Sequence, residues 1–359
     1  MKKDIIIVGS GFAGASTAFH LSQSFSGSIL LIEKEELPGF HASGRNASLV
    51  LQSTPDPEIR QAIVASRQSY SEYSSQITRS DHGSLHLGKK DDLEKLRDLD
   101  LFSSEYRDPE EILQQIPLLK GHTFQNALWT PTDGTLDISA LLQFYLEKAR
   151  SRGVEVWFNC ELSQVDGEET YRVQTSKGTI ETSCLVNAAG AWARQVAKKV
   201  GATEIPLIPS KRHLFVLDIN EKIEHDWPFV WDHNHDFYFR PESGGLLFSI
   251  CDEEDTDNLT PTINPTISES LAELIWKKLP ALRQATQREV WSCFRTKPPD
   301  ASFVIGWDLN IKNFFWVAGL GGHGVGASWE IGRLAAAGLQ DPIRQQLNSF
   351  SPLRFATTQ

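Results

Sequence analysis

Cysteine is scarce in this sequence, with four residues in 359, and no two of them form a C-x-x-C motif. Their wide spacing, at Cys160, Cys184, Cys251 and Cys293, predicts neither a zinc site nor a disulfide framework. A reducing compartment suits such a chain. The first apolar run also begins within four residues of Met1, which leaves no room for a secretory signal, so we expect a cytoplasmic protein.

Basic residues are outnumbered by acidic ones, 35 to 46, which gives a formal net charge of −11. No basic patch compensates for this charge, so nucleic acid and anionic membrane surfaces are not expected as partners. No apolar run reaches the length of a transmembrane segment. The length of the chain is sufficient for two globular domains.

The start of the chain carries its clearest motif. Apolar residues 5–8 lead into Gly9-Ser10-Gly11-Phe12-Ala13-Gly14, which matches G-x-G-x-x-G, and a second apolar run, 29–32, ends in Glu33. In a dinucleotide-binding unit the first glycine permits the tight turn, the second admits the pyrophosphate, and the third lets the helix pack on the strand. The helix N-terminus would hold the phosphates, and Glu33 would accept hydrogen bonds from ribose hydroxyls. The alternative is an ordinary strand–helix turn.

Two later strands end in small residues in the same way. Residues 184–187 precede Ala188-Ala189-Gly190, and residues 314–318 precede a glycine-rich turn with a helix after it. Ligands cross an open α/β sheet at the carboxyl ends of its parallel strands. Three such ends suit a ligand longer than NAD, so we expect FAD.

Helices are expected over residues 57–80, from the helical spacing of Ile59, Ile63, Tyr70 and Tyr73, over the charged residues 91–101, and over 138–151. Asp137 and Ser139 are the two candidate N-caps of the last of these helices. Residues 172–175 and 179–182 predict a β-hairpin, and a separate buried strand is expected from Cys184.

The stretch from about 205 to 300 has a different character, with short β-rich and Trp-rich runs that favour antiparallel strands. We therefore predict an α/β chain: a Rossmann-like FAD-binding domain with a parallel sheet, and an α+β substrate domain with a mostly antiparallel sheet. The predicted FAD-binding domain is discontinuous and comprises residues 1–82, 135–204 and 301–359. The predicted substrate-binding domain comprises residues 83–134 and 205–300.

These motifs resemble the D-amino acid oxidase family of FAD-dependent oxidoreductases over nearly the whole chain. The resemblance includes the loop 43–46, the strand end 187–192 and the closing turn 319–324. Within the family it is strongest to the bacterial D-arginine dehydrogenase type, in segments 209–213, 225–228, 237–241 and 314–318. The resemblance implies hydride transfer from the substrate α-carbon to flavin N5, giving an imine that water hydrolyses to a 2-oxo acid and ammonia.

The resemblance also implies roles for individual residues. Arg295 and Arg212 match arginines that hold the substrate carboxylate, and Tyr238 matches a tyrosine that hydrogen-bonds it. The alternative for the arginines is a surface salt bridge, which competes more strongly for Arg212. His323 and His213 are candidates for contact with flavin or substrate, and the alternative for each is a structural histidine. The expected FAD contacts are Gly9, Gly11, Phe12, Ala13, Gly14, Glu33, Lys34, Ser43, Gly44, Arg45, Asn46, Ala47, Ser48, Ala188, Ala189, Gly190, Trp192, Gly321, Gly322, His323, Gly324 and Val325.

The chain departs from the D-arginine dehydrogenase type in two places. The loop at residues 48–51 lacks a His and a Tyr that approach the substrate there, and residues 84–87 lack the acid that receives a basic side chain. A cationic substrate would have no counter-charge, so we expect a neutral one.

Cys293 lies in a segment that also resembles sarcosine-oxidase relatives, in which a cysteine is bonded to the flavin. The residue two positions on, Arg295, differs from those relatives, so we expect non-covalent FAD and a structural cysteine. The turn Asp232-His233-Asn234-His235-Asp236 contains metal-ligating residue types. No third ligand of suitable spacing is evident, so we predict a solvated turn and no metal.

Three functions remain open from the sequence. The main interpretation is a D-amino acid dehydrogenase or oxidase, the second is an N-methyl amino acid (sarcosine-type) or glycine oxidase, and the third is a flavin-binding protein without turnover. The expected partners are a small amino-acid substrate and an electron acceptor, a quinone or O2, between which the sequence does not decide. Oxidase relatives have a lysine near flavin N5, whereas the corresponding run Leu246-Leu247-Phe248-Ser249 has none, which favours a dehydrogenase.

Overall fold

Two large sheets and one small sheet organise the residues that the structure, a computed structural model, describes: 1–98, 104–341 and 349–356. The strands, in chain order, are β1 (Lys2–Val8), β2 (Ile29–Ile32), β3 (Leu49–Val50), β4 (Arg79–Ser80), β5 (Ser84–Gly88), β6 (Glu105–Arg107), β7 (Asn126–Thr130), β8 (Gly134–Leu136), β9 (Glu155–Trp157), β10 (Leu162–Asp166), β11 (Tyr171–Thr175), β12 (Gly178–Asn187), β13 (Ile208–Asp218), β14 (Phe229–Asp232), β15 (Phe237–Glu242), β16 (Gly245–Ser249), β17 (Glu254–Asp255), β18 (Thr286–Lys297), β19 (Val304–Trp307) and β20 (Phe314–Ala318). The α-helices are α1 (Phe12–Leu21), α2 (Pro57–Glu72), α3 (Lys90–Asp98), α4 (Pro109–Gln115), α5 (Ile138–Ser151), α6 (Ala193–Val200), α7 (Ile267–Lys278) and α8 (Gly324–Gln340).

The first sheet has a parallel centre in the order β9-β2-β1-β12-β20. Strand β19 pairs antiparallel with β20, and the β10–β11 hairpin pairs antiparallel with the first half of β12. Because the central strands run in one direction, Val8, Ile32, Asn187 and Ala318 end at the same edge of the sheet. This edge is where an α/β sheet binds ligands.

Helices cover this sheet, and close backbone contact fixes their packing. Helix α1 leads from β1 towards β2 and packs against α8 and α5. A Cβ added at Gly332 of α8 would lie 2.5 Å from the backbone carbon and oxygen of Ser16 in α1. Only glycine permits such an approach, so the two helices that follow glycine-rich turns pack directly against each other.

The second sheet is mostly antiparallel, in the order β17-β13-β16-β15-β14-β5-β7-β6, with β18 also paired to β13. Only its β14–β5 contact is parallel. In the long β13–β18 pair, Arg212 lies opposite Cys293 and Ser210 lies opposite Arg295. Since side chains alternate along a strand, Arg212, Cys293 and Arg295 share one face of the sheet. The small third sheet joins β3, β8 and β4.

The predicted fold class is confirmed: the chain has an α/β Rossmann-like fold with a parallel sheet and a second, largely antiparallel sheet. The helix expected over 57–80 is wrong in its second part, because α2 ends at Glu72 and residues 79–80 form β4. The hairpin strand 179–182 and the buried strand that follows it are one continuous strand, β12. The end of the helix expected over 91–101 lies outside the described residues. The division into two domains remains a prediction.

Within the described part of the chain, none of the helices combines the length and the apolar character of a membrane span. All four cysteines are free.

Candidate flavin and substrate site

The glycine-rich turn after β1 brings three backbone segments together. Gly9 has φ +103°, and a Cβ there would lie 2.5 Å from the carbonyl oxygen of Ala188 at the end of β12. A Cβ on Gly14 would lie 1.9 Å from the Gly9 oxygen and 3.3 Å from Ile7. The first glycine therefore permits the turn and the third permits the contact between helix and strand, as the sequence predicts.

Helix α1 begins at this turn. Its N-cap residue is Gly11, which has no side chain to accept a hydrogen bond from the first turn of the helix. The amide of Phe12 donates to Ser43 Oγ at 3.0 Å, which brings the 43–46 loop over the helix end. Gly11 lies on the cavity wall beside Ser43, so the helix N-terminus with its dipole is open to an anion.

Glu33 is buried at the end of β2 with its carboxylate held from two sides. Oε2 accepts hydrogen bonds from the backbone amide and hydroxyl of Ser10, at 2.8 and 2.9 Å, and Oε1 accepts from the Glu35 amide at 3.1 Å. Each carboxylate oxygen has more than one acceptor site. The group is therefore fixed in orientation while it can still accept hydrogen bonds from a ribose.

An extended cavity runs from Glu33 along the carboxyl edge of the first sheet to the face of the second sheet that carries Arg212 and Arg295. Most of the predicted contacts line it: Gly9, Gly11, Phe12, Ala13, Glu33, Lys34, Ser43, Asn46, Ala47, Ala188, Ala189, Gly190, Trp192, Gly321, Gly322, His323, Gly324, Val325, Arg212, Tyr238 and Arg295. Four predicted contacts do not line it: Gly14, Gly44, Arg45 and Ser48. Gly14 packs behind the turn, and the Arg45 guanidinium lies over the Phe40 ring at 4.9 Å.

The sequence did not single out several lining residues, among them Leu49, Leu51, Phe229, Trp231 and Leu214. They come from strands and loops that are distant from one another in sequence. Their apolar character was the only sequence signal that could have pointed to the cavity. Together with the glycine turn and Glu33, the shape of the cavity fits a dinucleotide whose reactive ring reaches the second sheet.

Arg212 is buried, with 6% of its surface exposed. Its Nε donates to the carbonyl of Asp252 at 3.0 Å and Nη2 donates to the carbonyl of Cys251 at 3.2 Å. The alternative of a surface salt bridge is therefore wrong for Arg212. These bonds fix the guanidinium against the segment 251–252 after β16, and Arg212 also lines the cavity.

Arg295 lies on β18 against the closing glycine-rich turn. Gly322 has φ +95°, and a Cβ there would lie 3.1 Å from Arg295 Nε. Within the described parts of the chain, the Arg295 guanidinium forms no hydrogen bond or ion pair, although it is half buried and lines the cavity. A cation in this state is available for an anionic ligand.

Tyr238 lies between the two arginines and an aromatic wall. Burial raises the pKa of its phenol, and the charges of Arg295 and Arg212 partly offset that rise, so the hydroxyl stays protonated as a donor. Its ring lies 5.3 Å from Phe229 and 5.9 Å from Trp231, measured between centroids. The three rings line one end of the cavity.

His323 lines the cavity at the start of α8. Burial, followed by the nearby Arg295 charge, lowers the pKa of its imidazole to about 4, although Asp56 acts in the opposite direction. The ring is therefore neutral near pH 7. Its Nε2 lies 3.5 Å from Thr54 Oγ1, and its buried Nδ1 has no hydrogen-bond partner among the described residues. This nitrogen is free for a ligand.

His213 has the structural role that was its alternative. Its Nδ1 lies 2.6 Å from Asp252 Oδ2, and its Nε2 accepts from the Asn264 amide at 3.0 Å. Both ring nitrogens are occupied, and the residue is not on the cavity wall.

His86, at the position where an acid is absent, is also withdrawn from the cavity. Its Nε2 lies 2.9 Å from Ser84 Oγ and its Nδ1 lies 2.9 Å from His233 Nε2. Burial, followed by His233, lowers the pKa of His86 to about 3. An imidazole carries no negative charge in either protonation state, so His86 cannot replace the missing acid as the counter-ion of a basic side chain.

Cys293 lines the cavity together with the two arginines, so its position is compatible with covalent and with non-covalent binding of the flavin. Burial raises the pKa of its thiol, against the opposing effect of Arg295 and Arg212. A raised pKa reduces the thiolate fraction and with it the reactivity of the sulfur. This agrees with non-covalent FAD, which remains a prediction.

We expect acid precipitation of the purified protein to release its flavin into the supernatant, because Cys293 stays a thiol. Absorbance of supernatant and pellet measures the release. A yellow pellet that becomes colourless in Cys293→Ser, but stays yellow in the matched Cys251→Ser variant, would show a covalent bond at Cys293 instead.

The turn between β14 and β15 lies against a histidine that is distant in sequence, His122. A solvated turn is expected because the sequence shows no third ligand of suitable spacing, but His122 supplies that third group beside Asp232 and His235. Its Nε2 is 2.5 Å from Asp232 Oδ2, which is also 3.1 Å from His235 Nδ1. A separation of 110 residues hides this contact from any local pattern.

The fold, the glycine-rich turn and the cavity define a dinucleotide-binding protein. The chain matches the DAO family, described as "FAD dependent oxidoreductase", over residues 4–337. It therefore belongs to this family of FAD-dependent oxidoreductases, and its cofactor is FAD.

Known proteins resemble this chain over nearly its whole length. It is 25% identical to dimethylglycine dehydrogenase, mitochondrial, of Homo sapiens, an alignment that covers 90% of this chain and 41% of that protein. It is 23% identical to sarcosine dehydrogenase, mitochondrial, of Mus musculus, covering 90% of this chain and 38% of that protein. The crystal structure of L-proline dehydrogenase from P. horikoshii shares the fold, with a TM-score of 0.85, 23% identity and coverage of 99% of this chain and 98% of that chain.

The chain spans about two fifths of the length of the two curated relatives. Family membership, as predicted, is confirmed. The narrower resemblance to D-arginine dehydrogenase is not, because these relatives are of the dimethylglycine and sarcosine type.

Proposed function

We propose that this chain oxidises an N-methylated α-amino acid, of which sarcosine is the simplest, and not preferentially a primary D-amino acid. FAD supplies the two-electron acceptor: the substrate loses a hydride from a carbon next to nitrogen, and water then splits the resulting iminium into an amine and a carbonyl compound. The protein's own residues hold and orient the amino acid. The observation that carries the proposal is the unpaired Arg295 next to an aromatic wall.

Arg295 is the proposed anchor for the substrate carboxylate. Its guanidinium is half buried and unpaired within the described residues, and the planar fork suits two parallel bonds to one carboxylate. Arg212 and Tyr238 are the proposed secondary contacts, since both line the same end of the cavity. Arg212 is already fixed by two backbone carbonyls, so it adds positive charge with little further ordering.

The amino group and its methyl substituents would face Phe229, Trp231 and Tyr238. Aromatic faces attract ammonium and methylammonium groups and also accept methyl groups through apolar contact. Among the residues that line the cavity, the only carboxylates are Glu33 and Glu161, and Glu33 belongs to the dinucleotide end. The wall around Arg295 thus offers no counter-ion for a basic side chain.

Two relatives support the N-methyl interpretation, because their names specify dimethylglycine and sarcosine. A primary D-amino acid would use the same carboxylate anchor, so the D-amino acid interpretation differs only in the amine. A flavoprotein without turnover would retain the cofactor contacts but would not reduce its flavin with any amino acid. The acceptor that reoxidises the flavin, a quinone or O2, is a separate question.

Anaerobic mixing of the FAD-loaded protein with a panel of amino acids tests the proposal. The panel contains sarcosine, N,N-dimethylglycine, glycine, L-proline, D-alanine and D-arginine, and bleaching of the flavin absorbance gives the reduction rate. We expect sarcosine or N,N-dimethylglycine to be at least about tenfold more efficient than the primary amines, the effect of one methyl group in an apolar site.

Faster bleaching by D-alanine or D-arginine would favour the D-amino acid interpretation over ours. Absence of bleaching by every compound, with FAD still bound, would support a protein without turnover. Admission of air, or of a soluble quinone, after reduction identifies the acceptor in the same cuvette.

A further inference from the structure

The turn after β14 forms a compact group of metal-ligating atoms away from the flavin cavity. Nε2 of His122, a carboxylate oxygen of Asp232 and Nδ1 of His235 lie within 4.8 Å of one another. None of these residues lines the cavity described above. The side chains of His122 and Asp232 are 1% and 0% exposed, whereas that of His235 is 24% exposed.

The tautomer of His122 is fixed by its other nitrogen. Nδ1 lies 2.9 Å from the carbonyl oxygen of Lys278, at the end of α7. A carbonyl only accepts hydrogen bonds, so Nδ1 carries the proton, and in the neutral ring Nε2 presents a lone pair. That lone pair faces Asp232 Oδ2 at 2.5 Å. Two facing lone pairs repel unless a cation lies between them, and that cation is either a second proton or a metal ion.

Asp232 is oriented in the same way. Its Oδ1 accepts hydrogen bonds from the amides of Asn234 and His235, at 2.7 and 3.0 Å, which directs Oδ2 at the two imidazoles. A histidine fixed by a carbonyl and a carboxylate fixed by backbone amides are the outer contacts that orient ligands around a protein-bound metal.

We propose that His122, Asp232 and His235 bind a divalent transition-metal ion of the Zn2+ class. Two imidazole nitrogens and one carboxylate oxygen are a zinc ligand set, and the exposed His235 side leaves the fourth position to water. With ligand bonds of roughly 2.0–2.2 Å, tetrahedral ligand atoms lie roughly 3.3–3.5 Å apart. The 2.5 Å pair would open by roughly 1 Å to admit the ion.

The ion would join three segments that are distant in sequence: the β14–β15 turn, the loop before β7, and, through the His122 contact with the Lys278 carbonyl, the end of α7. All three belong to or border the second sheet. The ion would therefore link parts of the second sheet, and its binding does not depend on the proposed amino-acid chemistry.

Zinc binding to the untagged, FAD-loaded protein tests the proposal. After dialysis against EDTA, we expect isothermal titration with ZnCl2 to show one site per chain. At about a hundredfold excess over Kd, we expect the melting temperature to rise by roughly 5 °C. Co2+ in place of Zn2+ should give the visible absorption of a tetrahedral cobalt centre, which reports the ligand geometry directly.

Two ligand variants and one control assign the binding to these residues. His235→Ala removes the most exposed ligand and leaves the buried pair intact, and His122→Asn removes a second ligand. Each should weaken zinc binding by at least about tenfold. His225→Ala, an exposed histidine of the same sheet region, should bind as the parent does. No stoichiometric binding by the parent would overturn the proposal, and equal binding by all three variants would overturn it by showing that zinc binds elsewhere on the chain.

Discussion

We expect replacement of Arg295 with methionine to lower kcat/KM for the proposed N-methyl amino acid substrate by roughly a hundredfold or more, about 2.7 kcal/mol in the transition state. The α-carboxylate is common to every candidate substrate, and it needs a cation of fixed geometry in a site with little water. Loss of one member of a buried charge pair costs about 2–5 kcal/mol or more. Arg295 forms no hydrogen bond or ion pair with the described residues, so its substitution disrupts no such contact within them. The cost therefore appears in binding of the substrate carboxylate.

The accompanying variants separate charge from geometry. Arg295→Lys should recover only part of the efficiency, because an ammonium keeps the charge but lacks the planar fork. Arg288→Met is the matched control: this arginine lies on the same strand, β18, but is exposed and pairs with Asp218. Its loss should leave kcat/KM unchanged.

Both kcat and KM should change in Arg295→Met, because a misplaced α-carbon also loses orientation. Flavin reduction by stopped flow, under anaerobic conditions, measures the two separately. Should Arg295→Met bleach as fast as the parent at low sarcosine concentration, the carboxylate site and the substrate class inferred from it are both wrong.

The sequence predicts an element well when its signals are local. Helix α5 spans Ile138–Ser151 as expected, and Asp137, one of two candidate caps, accepts a hydrogen bond from the Ala140 amide. The turn at Gly9 is recognisable because the G-x-G-x-x-G motif is contiguous in the sequence, and the positive φ of Gly9 favours glycine. Such features depend on a few consecutive residues, so they can be recognised from the sequence without knowledge of the fold.

Features formed by residues that are distant in sequence cannot be recognised in this way. The helix predicted over 57–80 rests on apolar residues up to Tyr73, yet α2 ends at Glu72 and pairing of Arg79 with Leu136 places β4 in a sheet. Tertiary pairing outweighs weak local preference there. The aromatic wall joins Phe229 and Trp231 of β14 to Tyr238 of β15, and the sequence singled out only the tyrosine. Likewise His122 reaches Asp232 only through the folded sheet.

Gly11→Val should abolish retention of FAD through purification, with affinity reduced by at least about a hundredfold, or about 2.7 kcal/mol. Gly11 is the N-cap of α1 and lines the cavity, so the backbone there must come close to the pyrophosphate. A Cβ at this position projects towards Ser43, whose Oγ would lie 2.8 Å away. That contact is with a side chain, so the fold can adjust while the space for the phosphates is lost.

A second variant distinguishes loss of cofactor space from a clash with Ser43. In Gly11→Val combined with Ser43→Ala, the nearest remaining atom of residue 43 is its Cβ, 3.7 Å from the added Cβ, an ordinary contact. We expect the double variant to remain colourless, whereas Ser43→Ala alone should keep most of its FAD. Circular dichroism and the melting temperature of each apoprotein check that the fold persists, and titration with FAD gives the affinity. If the double variant binds FAD as well as Ser43→Ala does, Gly11 acts only by leaving room for Ser43, and the pyrophosphate does not approach the helix at this glycine.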